Sequence, residues 1–200
     1  MDYTIENKIY GRMKKAKRGL VFFTSDFVAY GNSKACNKAL ERLAKQEKIV
    51  RVGRGIYAIP RKSLFLGRVA PGIEDIAQGI ARRDKARIIP TGLFAENLLG
   101  LSTQVPMRIV YLTDGTPRKL MINGTPLIFK KTSPKNLATW GKLGSLVIQA
   151  LKSIKKERIT DNEIEKVVNI LKKENPKYLA NDIKLAPGWI REIMRKALNN

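Results

Sequence analysis

The side chains of this sequence with the clearest capacity for specific chemistry are amide and cationic groups that begin at position 33. Asn37 has the amide geometry that pairs with the N6 and N7 edge of adenine. Lys34, Lys38 and Arg42 can bind phosphates or guanine, and Ser33 can bind a phosphate. Their types and spacing predict a surface that binds nucleic acid.

These side chains share one face of a helix predicted from about Lys34 to Gln46. Apolar residues recur along it at helical spacing and should face a core, which leaves the polar side chains on the opposite face. The apolar set is Cys36, Ala39, Leu40, Leu43 and Ala44, and the opposite set is Lys34, Asn37, Lys38, Glu41, Arg42 and Lys45. On an arbitrary helix such a polar face is usually only solvated. The elements around this helix favour binding instead.

Two helices are predicted before it. Apolar residues four apart predict a first helix over residues 3–16. Residues 24–26 are good N-caps for a short second helix that ends at Tyr30-Gly31, where glycine is the usual stop. A short helix, a glycine turn and a helix with one basic face form a helix-turn-helix, in which the N-terminal half of the second helix enters the major groove.

A hairpin is predicted after the basic helix. Two β-prone runs between Lys48 and Pro60 flank the turn Gly53-Arg54-Gly55. A hairpin in this position is a wing, and Arg51 and Arg54 could approach phosphates or a minor groove, whose negative potential attracts arginine. Because turns are often basic for solubility alone, this interpretation depends on the helices before it. The sequence thus predicts a winged helix-turn-helix domain over residues 1–62.

The charge balance agrees with a polyanionic partner. The 200 residues contain 39 Lys and Arg against 17 Asp and Glu, a formal net charge of +22. Such an excess attracts nucleic acid. A basic surface that serves only solubility, or an acidic protein partner, are the alternatives.

Catalytic groups are scarce. The chain has no histidine and one cysteine, Cys36, which excludes Ser-His-Asp and Cys-His catalysis, disulfides within the chain and thiolate zinc clusters. Cys36 falls on the apolar face and should behave as a small hydrophobic residue. The closest approach to a nuclease motif is Asp182-Ile183-Lys184, which we interpret as a surface turn because no second acidic residue is placed beside it. We therefore expect no enzyme activity, catalytic residue, metal or cofactor.

No apolar run is long enough for a secretion signal or a membrane span. With a single cysteine, the chain is expected to be cytoplasmic and to have no membrane partner.

The remainder predicts a connector over residues 63–72 and a second region over residues 73–200. Asn123-Gly124 between two apolar runs is a strong hairpin signal, and helices are predicted over residues 142–156, 161–174 and 187–198. The apolar stripe of the second of these helices should pack on the helix before it, the alternative being an exposed groove for a partner. The expected fold class is α+β: an N-terminal winged helix-turn-helix, a small α+β unit and a helical C-terminal region.

The residues Leu40-Glu41-Arg42-Leu43, followed by Lys48 to Pro60, resemble the winged-helix end of the AbiEi-like antitoxins of type IV toxin-antitoxin systems. The resemblance covers residues 1–62. Leu99-Gly100-Leu101, with a strand that ends at Thr113-Asp114, is similar to the second region of those proteins.

This resemblance implies an autorepressor that binds the double-stranded DNA of its own promoter. It also implies that residues 73–200 counter a nucleotidyltransferase-like toxin encoded beside it. The alternative is an RNA-binding accessory protein that uses its basic surface without reading sequence. A metal-dependent nuclease using Asp182 ranks third.

Overall fold

A computed structural model describes residues 4–16, 20–63 and 67–198. They form an α+β protein, which confirms the α+β part of the expected fold class. The chain divides into two compact units, residues 1–83 with 120–124, and residues 84–119 with 125–200. The first unit therefore extends past the boundary that the sequence predicted.

The first unit contains the elements predicted for residues 1–62 in the expected order. They are α1 (Ile5–Lys15), a 3-10 helix (Thr24–Tyr30), α2 (Ser33–Lys45), β2 (Val50–Gly53) and β3 (Ile56–Ala58). An additional strand, β1 (Val21–Phe23), gives an antiparallel sheet of order β1-β3-β2. Sequence patterns missed β1 because three residues are too few to establish an alternation.

Gly31 ends the 3-10 helix for a reason other than the predicted one. Its φ of 162° and ψ of 178° are extended backbone that any residue adopts. A Cβ at this position, however, would lie 2.7 Å from Cδ1 of Ile5. The glycine therefore permits the close approach of α1 to the start of α2, rather than supplying a left-handed helix stop.

The predicted connector over residues 63–72 is partly a hairpin. Strands β4 (Arg61–Ser63) and β5 (Gly67–Val69) are antiparallel, and α3 (Ile73–Arg83) follows. Helix α3 packs on β1, where a Cβ on Gly79 would overlap Cγ2 of Val21. This contact places α3 in the first unit, whereas residues 73–83 were expected in the second region.

A sheet of order β6-β7-β9-β8 includes three strands of the second unit, β6, β7 and β9, whereas residues 120–124 at the end of β8 and in the turn after it are grouped with the first unit. The strands of this sheet are β6 (Ile88–Thr91), β7 (Ile109–Thr113), β8 (Arg118–Ile122) and β9 (Thr125–Lys131), and α4 (Leu93–Leu98) follows β6. Strand β7 is antiparallel to β6 and parallel to β9. The turn between β8 and β9 has positive φ at Asn123 (47°) and Gly124 (81°), which confirms the predicted hairpin.

The C-terminal helices pack around one apolar core. They are α5 (Lys142–Ile154), α6 (Asp161–Leu171), α7 (Pro176–Leu185) and α8 (Gly188–Arg195). The stripe of α6 is buried at Val167, Val168 and Leu171 in the cluster that α5 also enters, as predicted. Helix α7 was missed, and the interpretation of Asp182 as a surface turn was wrong, because this residue lies within α7 and is fully buried.

The helices of the described residues are short. The longest, α2 and α5, contain 13 residues each. A transmembrane helix needs about 20 apolar residues. No helix in the described ranges has the length and apolarity to cross a bilayer.

Candidate nucleic-acid interface

Helix α2 separates an apolar face from a polar one, as the sequence predicted. Its start is capped by Asn32, whose side-chain oxygen accepts a 2.8 Å hydrogen bond from the backbone N–H of Ala35. The buried side chains are Cys36, Ala39, Leu40 and Leu43. All five predicted contact residues of this helix are exposed, namely Ser33, Lys34, Asn37, Lys38 and Arg42.

The buried face fixes α2 against the rest of the unit. The Cys36 thiol donates to the backbone oxygens of Phe27, at 3.2 Å, and Gly31, at 3.5 Å. These contacts tie the first turn of α2 to the preceding 3-10 helix. Cys36 is fully buried, so it behaves as the small packing residue that was predicted. The polar face is thus carried on a helix whose position is set by its core contacts.

The hairpin of β2 and β3 carries the two predicted arginines. Arg54 is exposed in the turn, beside Gly55 with its φ of 69°. Arg51 is exposed on β2, and its Nε lies 3.4 Å from the backbone oxygen of Gly53. The pairing of β2 with β3 shifts register between Arg51 and Gly53. Such a bulge increases local strand twist.

Helix α2 and the hairpin approach each other around Tyr57. This tyrosine is buried opposite Arg51 in the strand pairing. Burial raises the pKa of its phenol, the positive charge of Arg51 opposes that shift, and the negative charge of Glu41 adds to it. The tyrosine packs in the same apolar cluster as Leu40 and Leu43 of α2. Helix α2 and the hairpin are therefore anchored in one core.

The polar atoms of this surface are unengaged. Within the described residues, the side chains of Lys34, Asn37, Lys38, Arg42 and Arg54 make no hydrogen bond or ion pair. Other cations of the unit are engaged, since Arg68 pairs with Glu47 at 3.2 Å and Arg61 with Asp75 at 3.2 Å. Donors without protein partners remain available for a ligand. Glu41, exposed among them, is the one acidic residue of the α2 face.

A second cationic group lies on α1. Lys8, Arg12 and Lys15 line a shallow cavity of about 430 Å³, together with Tyr30. Arg12 donates to the backbone oxygen of Asp26 and lies 5.6 Å from the ring centre of Phe27. Since Tyr30 precedes α2 by only three residues, the group adjoins the start of that helix. Its three cations are four and three residues apart along α1, and this spacing is the sequence signal that could have identified the group.

The nuclease hypothesis finds no geometric support at Asp182. Its carboxylate accepts hydrogen bonds from the backbone N–H groups of Trp140, at 2.7 Å, and Gly141, at 2.9 Å. A buried carboxylate used in this way is a structural cap. Among the described residues, no three Cys, Asp or Glu side chains come together as a metal site.

The fold and this surface define an α+β protein whose first unit presents a cationic helix beside a cationic hairpin. The chain belongs to DUF6088, a family of unknown function, whose model matches residues 8–179. No curated protein matches the chain. The family match includes α2, the hairpin and most of the second unit.

Proposed function

We propose that this protein is a DNA-binding transcriptional autorepressor, and that residues 1–62 act as a winged helix-turn-helix on its own promoter. In this proposal the N-terminal half of α2 enters the major groove. The base contacts come from Asn37, and the phosphate or guanine contacts from Lys34, Lys38 and Arg42. Ser33 binds a phosphate, and Arg51 and Arg54 contact the backbone or the minor groove beside it.

The observation that carries this proposal is the exposed and unengaged polar face of α2. An amide and three cations project from one helix whose opposite face is buried. A duplex supplies what these donors lack, namely phosphate oxygens along the backbone and acceptors on base edges. The neighbouring β2-β3 hairpin supports a duplex over a smaller ligand, because it extends the cationic surface beyond the length of one helix face.

We further propose that the protein is the antitoxin of a type IV toxin-antitoxin system and acts in the cytoplasm. The support is the resemblance of residues 40–43 and 48–60 to AbiEi-like antitoxins. The partner would then be a nucleotidyltransferase-like toxin, countered by the region after residue 73. The reading frame next to this gene should encode such a protein, and co-expression should relieve the growth arrest that it causes. An unrelated neighbour would count against the antitoxin role and leave DNA binding open.

The decisive experiment for DNA binding compares the protein's own promoter with a scrambled duplex of the same composition. A sequence-specific repressor should prefer the promoter by a factor on the order of a thousand or more at physiological salt. Equal affinity for the two duplexes would refute specific recognition. Tighter binding of RNA than of the promoter would favour the RNA-binding alternative.

A variant of α2 tests whether this helix is the part that reads sequence. Asn37→Ala should narrow the preference for the promoter by roughly 1 to 3 kcal/mol, because an amide bonded to adenine is lost. Asn169→Ala is the matched control, since Asn169 is exposed on α6 in the second unit. An unchanged preference in Asn37→Ala would remove Asn37 from the base contacts.

A further inference from the structure

The second unit exposes two large aromatic side chains that touch each other. Trp140 is 64% exposed and Tyr178 is 44% exposed. Their ring centres are 6.2 Å apart and their planes are perpendicular, at 89°. Trp140 lies just before α5, whereas Tyr178 lies in α7. Two large exposed rings in contact form a contiguous apolar patch, and such patches on a protein surface mark binding sites.

The two rings stand on rigid supports. The backbone N–H of Trp140 donates to the buried carboxylate of Asp182 at 2.7 Å. Asp182 is four residues after Tyr178, on the same helix. The carboxylate therefore fixes the backbone of Trp140 to the helix that carries Tyr178. Because the two segments are already joined, little backbone conformational entropy is lost when a flat ligand stacks on the rings.

The surroundings of the pair are cationic. Lys142 follows Trp140 by two residues, Lys177 precedes Tyr178, and both are exposed. A 2.7 Å hydrogen bond from the backbone N–H of Leu143 to Glu174 joins the two segments, and it brings Lys173, also exposed, to this region. Three exposed lysines from two parts of the chain thus lie on the segments that carry the aromatic pair, within five residues of one ring or the other.

We propose that Trp140 and Tyr178, with these lysines, form a binding site for single-stranded nucleic acid. Unpaired bases stack on the exposed ring faces, and the lysines follow the phosphates. Stacking platforms in cationic surroundings are the usual design of proteins that bind single strands without reading sequence. A duplex does not fit this role, because its base faces are covered by neighbouring bases.

The chemistry of the patch favours nucleic acid over a protein partner. An aromatic anchor for a protein is normally surrounded by further buried contacts that exclude water. Here the flanking side chains are strongly hydrated lysines instead. The backbone N–H groups at the start of α5 are already bonded to Asp182 and Glu174, so the phosphates would be bound by side chains. The site uses no residue of α2 and does not depend on the proposed function.

The test uses tryptophan fluorescence of the full chain. The sequence has two tryptophans, so Trp189→Phe leaves Trp140 as the sole emitter. Titration with a twelve-nucleotide oligo(U) or oligo(dT) should quench Trp140 saturably, because a stacked base quenches indole. In the otherwise natural chain, Trp140→Ala should weaken binding of that oligonucleotide by about five- to a hundredfold. Trp140→Phe, which keeps a ring, should recover most of the affinity.

Three controls separate stacking from charge and from misfolding. Inorganic polyphosphate of the same charge should leave Trp140 emission unchanged, since it has no bases. Lys173→Gln with Lys177→Gln should weaken oligonucleotide binding and flatten its salt dependence. Asn37→Ala should bind the oligonucleotides as the natural chain does. Equal affinity in Trp140→Ala, equal quenching by polyphosphate, or no quenching by either oligonucleotide would overturn the proposal. The last result is the one expected if a protein covers the patch.

Discussion

Asp182 holds the start of helix α5 through Gly141, whose backbone N–H donates a 2.9 Å hydrogen bond to Oδ2 of the buried carboxylate. The other oxygen of Asp182 accepts from Trp140. Both glycines of this region are required for space. A Cβ at Gly144 would lie 2.5 Å from Oδ2 of Asp182, and one at Gly141 would lie 2.5 Å from Oε2 of Glu174. Helix α5 is thus capped at its start by Asp182 and Glu174, two acidic residues from later in the chain, and not by a side chain of its own N-cap residue.

Removing this carboxylate should destabilise the second unit. Asp182→Ala leaves the two N–H groups at the start of α5 without an acceptor, which should lower the free energy of unfolding by about 2 to 4 kcal/mol. Urea denaturation followed by circular dichroism measures the change. The matched control is Asp161→Ala, since Asp161 is exposed in the first turn of α6 and should contribute less than about 1 kcal/mol. Equal losses in the two variants would contradict a special role for Asp182.

Local signals predicted the elements that carry the candidate interface. The helical spacing of apolar and polar residues predicted α2. The Gly-Arg-Gly turn predicted the first hairpin, and Asn123-Gly124 predicted the second. Each of these depends on neighbours within a few residues. Helix α7 also had such a signal, because Asn175 caps it and Pro176 is its first residue. The same pair is equally typical of a break between helices, so the local pattern alone does not distinguish the two.

The contacts that the sequence could not reveal join distant positions. Asp182 meets Gly141 across 41 residues, and β1 pairs with β3 across more than 30. The periodicity of apolar residues, 2 in a strand and 3.6 in a helix, does not indicate which distant residue a given position contacts. The exposed Trp140 and Tyr178 are a similar case, since neither residue type nor spacing placed them side by side.

The contact of α3 with β1 predicts a large effect of one methyl group. Gly79→Ala puts a Cβ into the space of Val21, and relief of that overlap should cost about 1 to 3 kcal/mol of stability. The matched control is Gly11→Ala in α1, because a Cβ there meets nothing within 4 Å and should stabilise by up to about 1 kcal/mol. Denaturation curves give both values.

A second substitution shows whether the overlap is the cause. Val21→Ala in the Gly79→Ala background removes the methyl groups that the new Cβ meets. The double variant should therefore lose less stability than the sum of the two single variants. Additive losses would mean that α3 does not pack on β1 as described.

The ion pair at the end of β7 predicts a pH dependence. The side chain of Arg87 donates to Asp114 at 2.8 Å, and its backbone N–H does so at 2.8 Å. These hydrogen bonds lower the pKa of the Asp114 carboxyl in the folded state. A carboxyl whose pKa is lower in the folded state than in the unfolded state, about 3.9, stabilises the fold. This stabilisation is complete above the unfolded-state pKa and is lost as the pH falls through the folded-state pKa.

Asp114→Asn should therefore reduce stability at about pH 7 and have a smaller effect at about pH 2.5, because the contribution of the carboxylate is lost as the pH falls. Urea denaturation at the two pH values measures the difference. In an Arg87→Gln background the effect of Asp114→Asn should depend much less on pH. A constant difference between the natural chain and Asp114→Asn at both pH values would contradict the role of this pair.

The hairpin arginine predicts a loss of affinity without a loss of specificity. Arg54 is exposed in the turn and contacts phosphates in the proposed function, so Arg54→Ala should weaken promoter and scrambled duplexes alike. The slope of log K against log salt should decrease by about one unit. Arg195→Ala, at an exposed position of α8, is the control for the loss of one positive charge. Identical salt slopes for the natural chain and Arg54→Ala would remove the hairpin from the contact surface.

Glu41 is the acidic residue within the exposed face of α2, and its charge should oppose the approach of phosphates. Neutralising it in Glu41→Gln should raise affinity for any duplex by about two- to fivefold at low salt, and less as salt screens the repulsion. Glu157→Gln is the matched control, because it makes the same charge change at an exposed position outside the first unit. Electrophoretic mobility shifts at two salt concentrations measure the effect. A loss of affinity confined to the promoter would instead mean that Glu41 accepts a hydrogen bond from cytosine N4. Equal gains in affinity in Glu41→Gln and Glu157→Gln would mean that only the net charge of the protein matters.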